Sequence, residues 1–445
     1  MTKTKPFYLL LFAVLIIFTL AFVYSPTEDQ VTVNEKPEDS LKVESAVAST
    51  ETLPESKLVA YDDPNPYMQR VLSDYNYFIE HAIAKGIAPG AAVAIIRDTS
   101  IVFLKGFGLK QVGLPDTIDV NTVFRLGSVS KSISSVLAGT LVSKHLINWD
   151  DPIVKYIPTF QLKSKAQAEK LTIRHVLSHT TGLPYHAYTN MIEEHLPFDT
   201  LVTYLKQVDL FGEPGQFYSY QNVGYSLIGS VVEAATHQSF EAALTENIFK
   251  PLNMRNGSAS YEAIIHHKNV ARPHHFSRKH WVTVPISDTY YNVAPAGGVN
   301  ASITDMALWL KALLNGAPAL MSDTTLQQIF EPQVKAISKN HNFRKWQRPK
   351  ASYYGLGWRI LTFKNDTIEY HGGYVNGYRS EVAIDRKNKL AICVLTNSPG
   401  NLSDQAIPEF LKQYTQYADS ISFWEDRHKL ILVKNSIPPT PVFHN

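Results

Sequence analysis

Phe124-Arg125-Leu126-Gly127-Ser128-Val129-Ser130-Lys131 leads into a helical run that continues through Leu141. A serine at the start of a helix sits where unpaired N–H groups and the positive end of the helix dipole favour a developing oxyanion. Lys131, three residues on, shares its helix face. A lysine held in a low-dielectric cleft has a reduced pKa and can take the serine proton, which is what a hydroxyl nucleophile needs. Taken alone, Ser-x-x-Lys equally describes an N-cap serine followed by a solvated lysine. The surrounding sequence has to separate these readings.

Outward from the motif, the stretch from about Thr122 to Pro251 is mostly helical by periodicity, with breaks at Pro152, Pro158, Thr181-Gly182-Leu183-Pro184 and Pro214-Gly215. Upstream, Met68, Val71, Leu72, Tyr75, Ile79, Ala82 and Ile83 recur at helical spacing from Pro66. Ala91 to Ile96 and Ile101 to Phe107 then read as a hairpin across Arg97-Asp98-Thr99-Ser100. Downstream, Tyr354 to Leu361, Thr367 to Tyr370, Tyr378 to Ile384 and Leu390 to Thr396 are β-rich, and a helix follows from about Ser403 to Tyr417. Strands at both ends of a helical middle predict an α/β (α+β) fold, with one sheet assembled from distant segments and a helical insertion.

Two further segments carry chemistry. Glu213-Pro214-Gly215-Gln216-Phe217-Tyr218-Ser219-Tyr220-Gln221-Asn222 precedes the apolar helix Val223 to Ala234, and Tyr370-His371-Gly372-Gly373-Tyr374 joins two strands. Ser-x-x-Lys, Tyr-x-Asn and Lys/His-x-Gly in this order resemble the serine β-lactamase and penicillin-binding protein superfamily, in its class C β-lactamase-like branch of DD-peptidases, D-aminopeptidases and esterases. Leu171 to Pro184, Pro251-Leu252-Asn253-Met254, Ala296-Gly297-Gly298-Val299 and Tyr354-Gly355-Leu356-Gly357-Trp358 match the same pattern, so the resemblance spans roughly Pro66 to Leu402. Tyr188-Thr189-Asn190, Tyr290-Tyr291-Asn292 and Tyr374-Val375-Asn376 are rival Tyr-x-Asn matches, but only Tyr220 has a Pro-Gly turn before it and an apolar helix behind it.

The resemblance implies a β-lactamase/transpeptidase-like fold, an antiparallel sheet flanked by helices with a mostly helical inserted subdomain. It casts Ser128 as the acylated nucleophile and Lys131 and Tyr220 as general base and acid, without deciding which takes the first proton. Asn222 would hydrogen-bond the substrate's amide side chain. His371, Gly373 and Tyr374 would also line the substrate, with the backbone N–H groups of Ser128 and Tyr374 forming the oxyanion hole. His371 stands where β-lactamases carry a lysine that helps bind the β-lactam carboxylate, which points to a peptidase or esterase. The expected substrates are peptidoglycan-type D-amino-acid peptides, small esters or β-lactams. A different class of function, a catalytically silent penicillin-binding-like sensor or scaffold, should have lost Ser, Lys or Tyr from the motifs, and all three are present.

No metal or organic cofactor is implied. Five histidines fall between His266 and His280 without an acidic partner at ligand spacing. Nor is there a Gly-x-Ser-x-Gly elbow for α/β-hydrolase chemistry. The single cysteine, Cys393, excludes a disulfide within the chain and lies in an apolar strand-like run.

Forty-two Lys+Arg against 40 Asp+Glu give a formal net charge of +2, without the basic run that a nucleic-acid partner demands. That balance averages unlike parts, because residues 1–63 hold 10 acidic and 5 basic residues. Residues 1–25 contain the apolar run Phe7 to Tyr24, preceded by Lys3 and Lys5, which is long enough to cross a bilayer as a helix. A retained anchor is expected, with the catalytic domain outside the cytoplasm of a bacterial cell, facing the periplasm; a cleaved signal peptide is the alternative. Residues 26–65 read as an acidic disordered linker, 66–420 as the catalytic domain and 421–445 as a tail. The sequence does not reveal the oligomeric state.

Overall fold

A computed structural model describes residues 63–336, 346 and 349–436. The expected anchor, and all but the last three residues of the expected linker, lie outside the described residues. No helix among the described residues is long and apolar enough to cross a membrane. Helix α1, Pro66–Ala84, is capped by Asn65, whose side chain accepts the N–H groups of Tyr67 and Met68. Asp63, two residues before that cap, receives Arg97 Nη1 on its carboxylate at 2.7 Å.

The main sheet has eight strands in the order β2-β1-β12-β11-β10-β9-β8-β7, every neighbouring pair antiparallel. They are β1 (Gly90–Arg97), β2 (Ser100–Gly108), β7 (Val334–Lys335), β8 (Ala351–Tyr354), β9 (Arg359–Thr362), β10 (Thr367–Val375), β11 (Tyr378–Asp385) and β12 (Leu390–Thr396). Two small antiparallel pairs stand apart: β3 (Val123–Arg125) with β6 (Asn300–Ser302), and β4 (His274–Ser277) with β5 (His280–Thr283). The chain thus makes its sheet from both ends, with β1 seated directly on β12, as the strand distribution predicts.

Both faces of the sheet are covered, so its central strands are continuous apolar runs. Ala92, Ala94, Ala391, Cys393 and Leu395 face one core with the helical middle, while Ala91, Val93, Leu390, Ile392 and Val394 face the other. That second core is closed by α1, through Met68, Val71, Tyr75 and Ile79, and by the last helix, through Ala406, Ile407 and Phe410. Each large apolar side chain buried there contributes roughly 1.5–3 kcal/mol. Cys393 is buried and free.

Three segments differ from the sequence expectation. The run Tyr354 to Leu361 is two strands, because the chain folds back at Gly355–Trp358, with Gly357 at φ +76° and Gly355 N–H donating to Trp358 O at 2.8 Å. Within the helical middle, Val123–Arg125 is a strand. The final helix runs from Asn401 to Ser436, beyond both its expected end at Tyr417 and the start expected for a tail. Contacts distant in sequence hold its extension: Ile421 O accepts Asn65 Nδ2 at 3.1 Å, and Glu425 pairs with Arg97.

Candidate active site

Strand β3 ends at Arg125, Gly127 turns the chain at φ +50°, and a single 3-10 turn over Gly127–Val129 delivers Ser128 to helix α2, Ser130–Ser143. This helix is buried on nearly all sides, so its hydroxyls must find partners. Ser132 donates to Gly357 O at 2.8 Å, Ser134 to Pro295 O at 2.8 Å and Ser135 to Leu356 O at 2.5 Å, while Ser130 accepts Val299 N–H at 3.0 Å. The nucleophile candidate thus stands at the end of a helix tied to two other segments, 295–299 and 356–357.

Lys131 is fully buried, and its Nζ reaches Asn222 Oδ1 at 2.8 Å, Ala296 O at 2.8 Å and Ser128 Oγ at 3.3 Å. The first two atoms only accept, so they occupy two N–H bonds of the amine. The third direction, toward the serine hydroxyl, can hold either a proton or a lone pair. Burial, helped by the nearby Arg359 guanidinium, holds Lys131 well below the ordinary lysine range. Tyr220 donates its hydroxyl to Ser128 Oγ at 2.9 Å, and burial pushes that phenol up, so it stays protonated. A neutral amine accepting from Ser128, which in turn accepts from Tyr220, satisfies all three groups.

Tyr220 and Asn222 lie just before helix α3, Val223–Thr236, on a loop pinned by the preceding Ser178–Gly182 segment. Ser219 N–H donates to His179 O at 2.8 Å, Gln221 N–H to His179 Nδ1 at 3.1 Å and Gly215 N–H to Thr180 O at 2.7 Å. The His179 ring packs 4.3 Å from the Tyr220 ring, centroid to centroid. His179 takes φ +58° just past the short helix Ile173–Leu177.

Strand β10 closes the other side. Asn376 and Gly377, at φ 45° and 85°, make a two-residue turn between Val375 and Tyr378. In such a hairpin the flanking pair carries both hydrogen bonds, so the next pair, Tyr374 and Arg379, is the non-bonded one. The Tyr374 N–H therefore points away from β11, on the edge that β9, paired only with Thr367 to Tyr370, has already left free. A Cβ on Gly127 would stand 2.9 Å from the Tyr374 nitrogen, and one on Gly373 would stand 2.9 Å from the Ser128 nitrogen. The backbone that carries the Ser128 amide is thus in close contact with the backbone that carries the Tyr374 amide, an arrangement suited to a tetrahedral oxyanion. The Tyr374 side chain is 56% exposed, at the mouth of the site.

His371 is placed differently from its neighbours. It is 1% exposed, with Nδ1 directed at Gly372 O at 3.0 Å and Nε2 at Tyr354 OH at 3.0 Å. The carbonyl requires a donor, so Nδ1 carries the proton and Nε2 accepts from the tyrosine. Burial, helped by the charge of Arg359, pushes it well below the usual histidine range, leaving a neutral ring. Of the sequence-derived set, Ser128, Lys131, Tyr220 and Asn222 form one hydrogen-bonded cluster, Gly373 and Tyr374 abut it through backbone, and His371 lies beneath the strand with no free nitrogen. Among the clustered histidines, His274 is buried, with its ring nitrogens on Asn397 O and Val112 N–H.

Two residues at the site escaped the sequence reading. His179 belongs to the Leu171–Pro184 stretch but was assigned no part in the site. Arg359 looked like one residue of a continuous strand; the Gly355–Trp358 fold-back turns its guanidinium over the rings of Tyr220 and Tyr354, at 5.9 and 5.8 Å. A charged residue directly after Gly-Leu-Gly-Trp was the available signal.

The family model described as Beta-lactamase matches residues 77–415. Protein flp of Staphylococcus aureus is 22% identical over 376 residues, covering 80% of this chain and 70% of that protein. Unguisins hydrolase ungD' of Aspergillus campestris is 25% identical over 337 residues, 73% of this chain and 61% of that one. Among solved structures, the octameric penicillin-binding protein homologue from Pyrococcus abyssi superposes with a TM-score of 0.66 at 24% identity, covering 78% of this chain and 77% of that one. EstCE1, a hydrolase with promiscuous acyltransferase activity, gives 0.65 at 19% identity, covering 78% and 98%. At these identities the two structures show a shared fold.

Proposed function

The chain belongs to the beta-lactamase family, which includes serine hydrolases of esters and amides, and from that premise we propose that it cleaves an amide or ester through an acyl-enzyme on Ser128. The observation that carries this reading is the buried Lys131 amine, with two N–H bonds engaged by Asn222 and Ala296 and its third direction on Ser128 Oγ.

Lys131, neutral in its buried site, takes the Ser128 proton as Oγ attacks the carbonyl carbon. The oxyanion forms between the Ser128 and Tyr374 amides. As the tetrahedral intermediate collapses, the bond to the leaving group breaks and Tyr220 passes its hydroxyl proton to the departing oxygen or nitrogen, while the neighbouring Lys131, whose Nζ lies 4.7 Å from the Tyr220 ring centroid, restores the phenol with the proton it took from Ser128. Water then attacks the acyl-enzyme, the same groups carry its proton, and Ser128 is released with the acid product.

A neutral, hydrogen-bonded His371 cannot supply the cation that anchors a β-lactam carboxylate, which favours a peptidase or esterase of the class C-like branch over an efficient β-lactamase. The substrate is a peptidoglycan-type D-amino-acid peptide or a small ester. Residues 7–24 tether the enzyme to a membrane, with the catalytic domain outside the cytoplasm; retention in carbonate-washed membranes tests that part. For the chemistry, a fluorophosphonate should label the wild type and not Ser128→Ala. Equal labelling of both removes Ser128 as nucleophile.

A further inference from the structure

We propose that the cleft flanking Tyr220 is a leaving-group subsite for an aromatic ring that carries a carboxylate, so that the enzyme releases an aromatic amino or hydroxy acid. This deepens the acyl-enzyme reading and rests on it.

The cleft has a volume of about 530 Å³ and is walled by Tyr185, Phe211, Phe217 and Tyr218, with Lys335 and Arg359 among its other lining residues. Exposed aromatic side chains are usually scattered, yet here Tyr185, Phe211 and Phe217 gather around one opening while 65%, 60% and 43% exposed. Phe211 and Phe217 pack at 5.2 Å, centroid to centroid, leaving their outer faces to the cleft. Such a wall is matched by a flat apolar ring, which stacks on aromatic faces and buries its area there.

Position fixes which half of the substrate enters. The Tyr185 ring lies 6.5 Å from the Tyr220 ring, Tyr218 is two residues from it, and Arg359 bridges the two regions. Tyr220 is the residue that hands a proton to the departing atom, so the group beyond that atom passes over Tyr220 into this cleft.

Charge fixes what the ring carries. No acidic side chain lines the cleft among the described residues. The Arg359 guanidinium lies over Tyr220 and Tyr354 at the inner wall. Lys335, exposed on the edge strand β7, stands at the rim. An anion on the ring therefore meets cations and no carboxylate.

Four N-acetylglycyl esters test this, with ethanol, 2-phenylethanol, lactate and 3-phenyllactate as leaving groups, the two acids as both enantiomers. Each phenyl pair has nearly the same intrinsic reactivity, and alkaline hydrolysis rates correct the rest. The phenyl group should raise kcat/KM about tenfold or more. In the phenyl pair, the carboxylate should add about two- to fivefold, a gain that about 0.5 M NaCl suppresses. Lys335→Gln should abolish the carboxylate gain while the phenyl gain survives, and Phe217→Ala should reduce the phenyl gain. Equal kcat/KM across the four esters overturns the subsite and leaves the hydrolase standing. No turnover of any ester overturns the subsite too, and fluorophosphonate labelling of Ser128 then decides whether the acyl-enzyme reading falls with it.

Discussion

Gly373 lies so close to Ser128 that a Cβ built on it would stand 2.9 Å from the Ser128 amide nitrogen. The same atom would stand 2.1 Å from Leu126 O and 2.5 Å from Ser380 Oγ. Ser380 Oγ itself donates to Leu126 O, so this side of β11, the turn before Ser128 and the middle of β10 are one contact. The position demands glycine for lack of space, not for a left-handed backbone. Gly373→Ala should push β10 away from Ser128 and separate the Ser128 and Tyr374 amides proposed to hold the oxyanion. We expect kcat to fall by about 10²–10³, the loss seen when one oxyanion donor is removed, with about 1–3 kcal/mol of lost stability from overpacking. Urea denaturation beside ester turnover checks both; an active Gly373→Ala enzyme would refute the contact as a catalytic constraint.

His179 makes a second prediction. Its Nδ1 is the acceptor for Gln221 N–H, and its ring backs Tyr220. His179→Ala leaves a buried N–H unpaired, at about 1–3 kcal/mol, and frees Tyr220 to drift from Ser128. Because that role is positional, kcat should fall while the pH at which activity reaches half its plateau stays put. A shift in that pH would mean that His179 itself titrates in the reaction.

The pH profile follows from Lys131. The amine must be neutral to accept the serine proton, so activity should rise with pH through an ionisation well below the ordinary lysine value. Burial is the larger cause of that depression and Arg359 the second. Arg359→Gln removes the second cause and should move the rising limb to higher pH. A limb that stays fixed or moves down would take Lys131 out of the base role.

How much of this was legible in the sequence depends on the range of the contacts involved. Ser128 and Lys131 share one helical turn, and Tyr220 and Asn222 share one loop, so each pair was local in sequence, and the order of the motifs with their flanking turn and helix singled them out. The strand Leu390 to Thr396 was legible to its ends, because a sheet covered on both faces leaves an unbroken apolar run. His371 was not, since its neutral state depends on burial beside Arg359 and its Nε2 is taken by Tyr354, which reaches it across the sheet from β8. The fold-back after Tyr354 was equally hidden: Leu356 and Trp358 are as apolar as strand residues, being buried against the helical side. Arg359 became a site residue only through that turn. The last helix was cut short because contacts distant in sequence, Asn65 Nδ2 on Ile421 O and Arg97 on Glu425, hold its extension.

Stability against pH offers a test far from the nucleophile. Glu381, on β11, is 3% exposed, and its carboxylate accepts Tyr370 OH at 2.5 Å and Arg379 Nη2 at 2.5 Å. Burial outweighs both partners and pushes it from an ordinary 4.5 up to about 7. Between those values the folded protein holds a proton that the unfolded chain has released, so unfolding sheds a proton and stability falls as pH rises. The contribution is whole below about 4.5, is lost as pH passes through about 7, and is constant above that. Glu381→Gln keeps acceptor and shape without the titration. Urea midpoints at pH 5 and pH 8 should therefore show the Gln variant gaining on the wild type by on the order of 2 kcal/mol as pH rises. A variant that instead loses ground at pH 8 would mean that the carboxylate, held by Arg379, is ionised in the fold throughout this range.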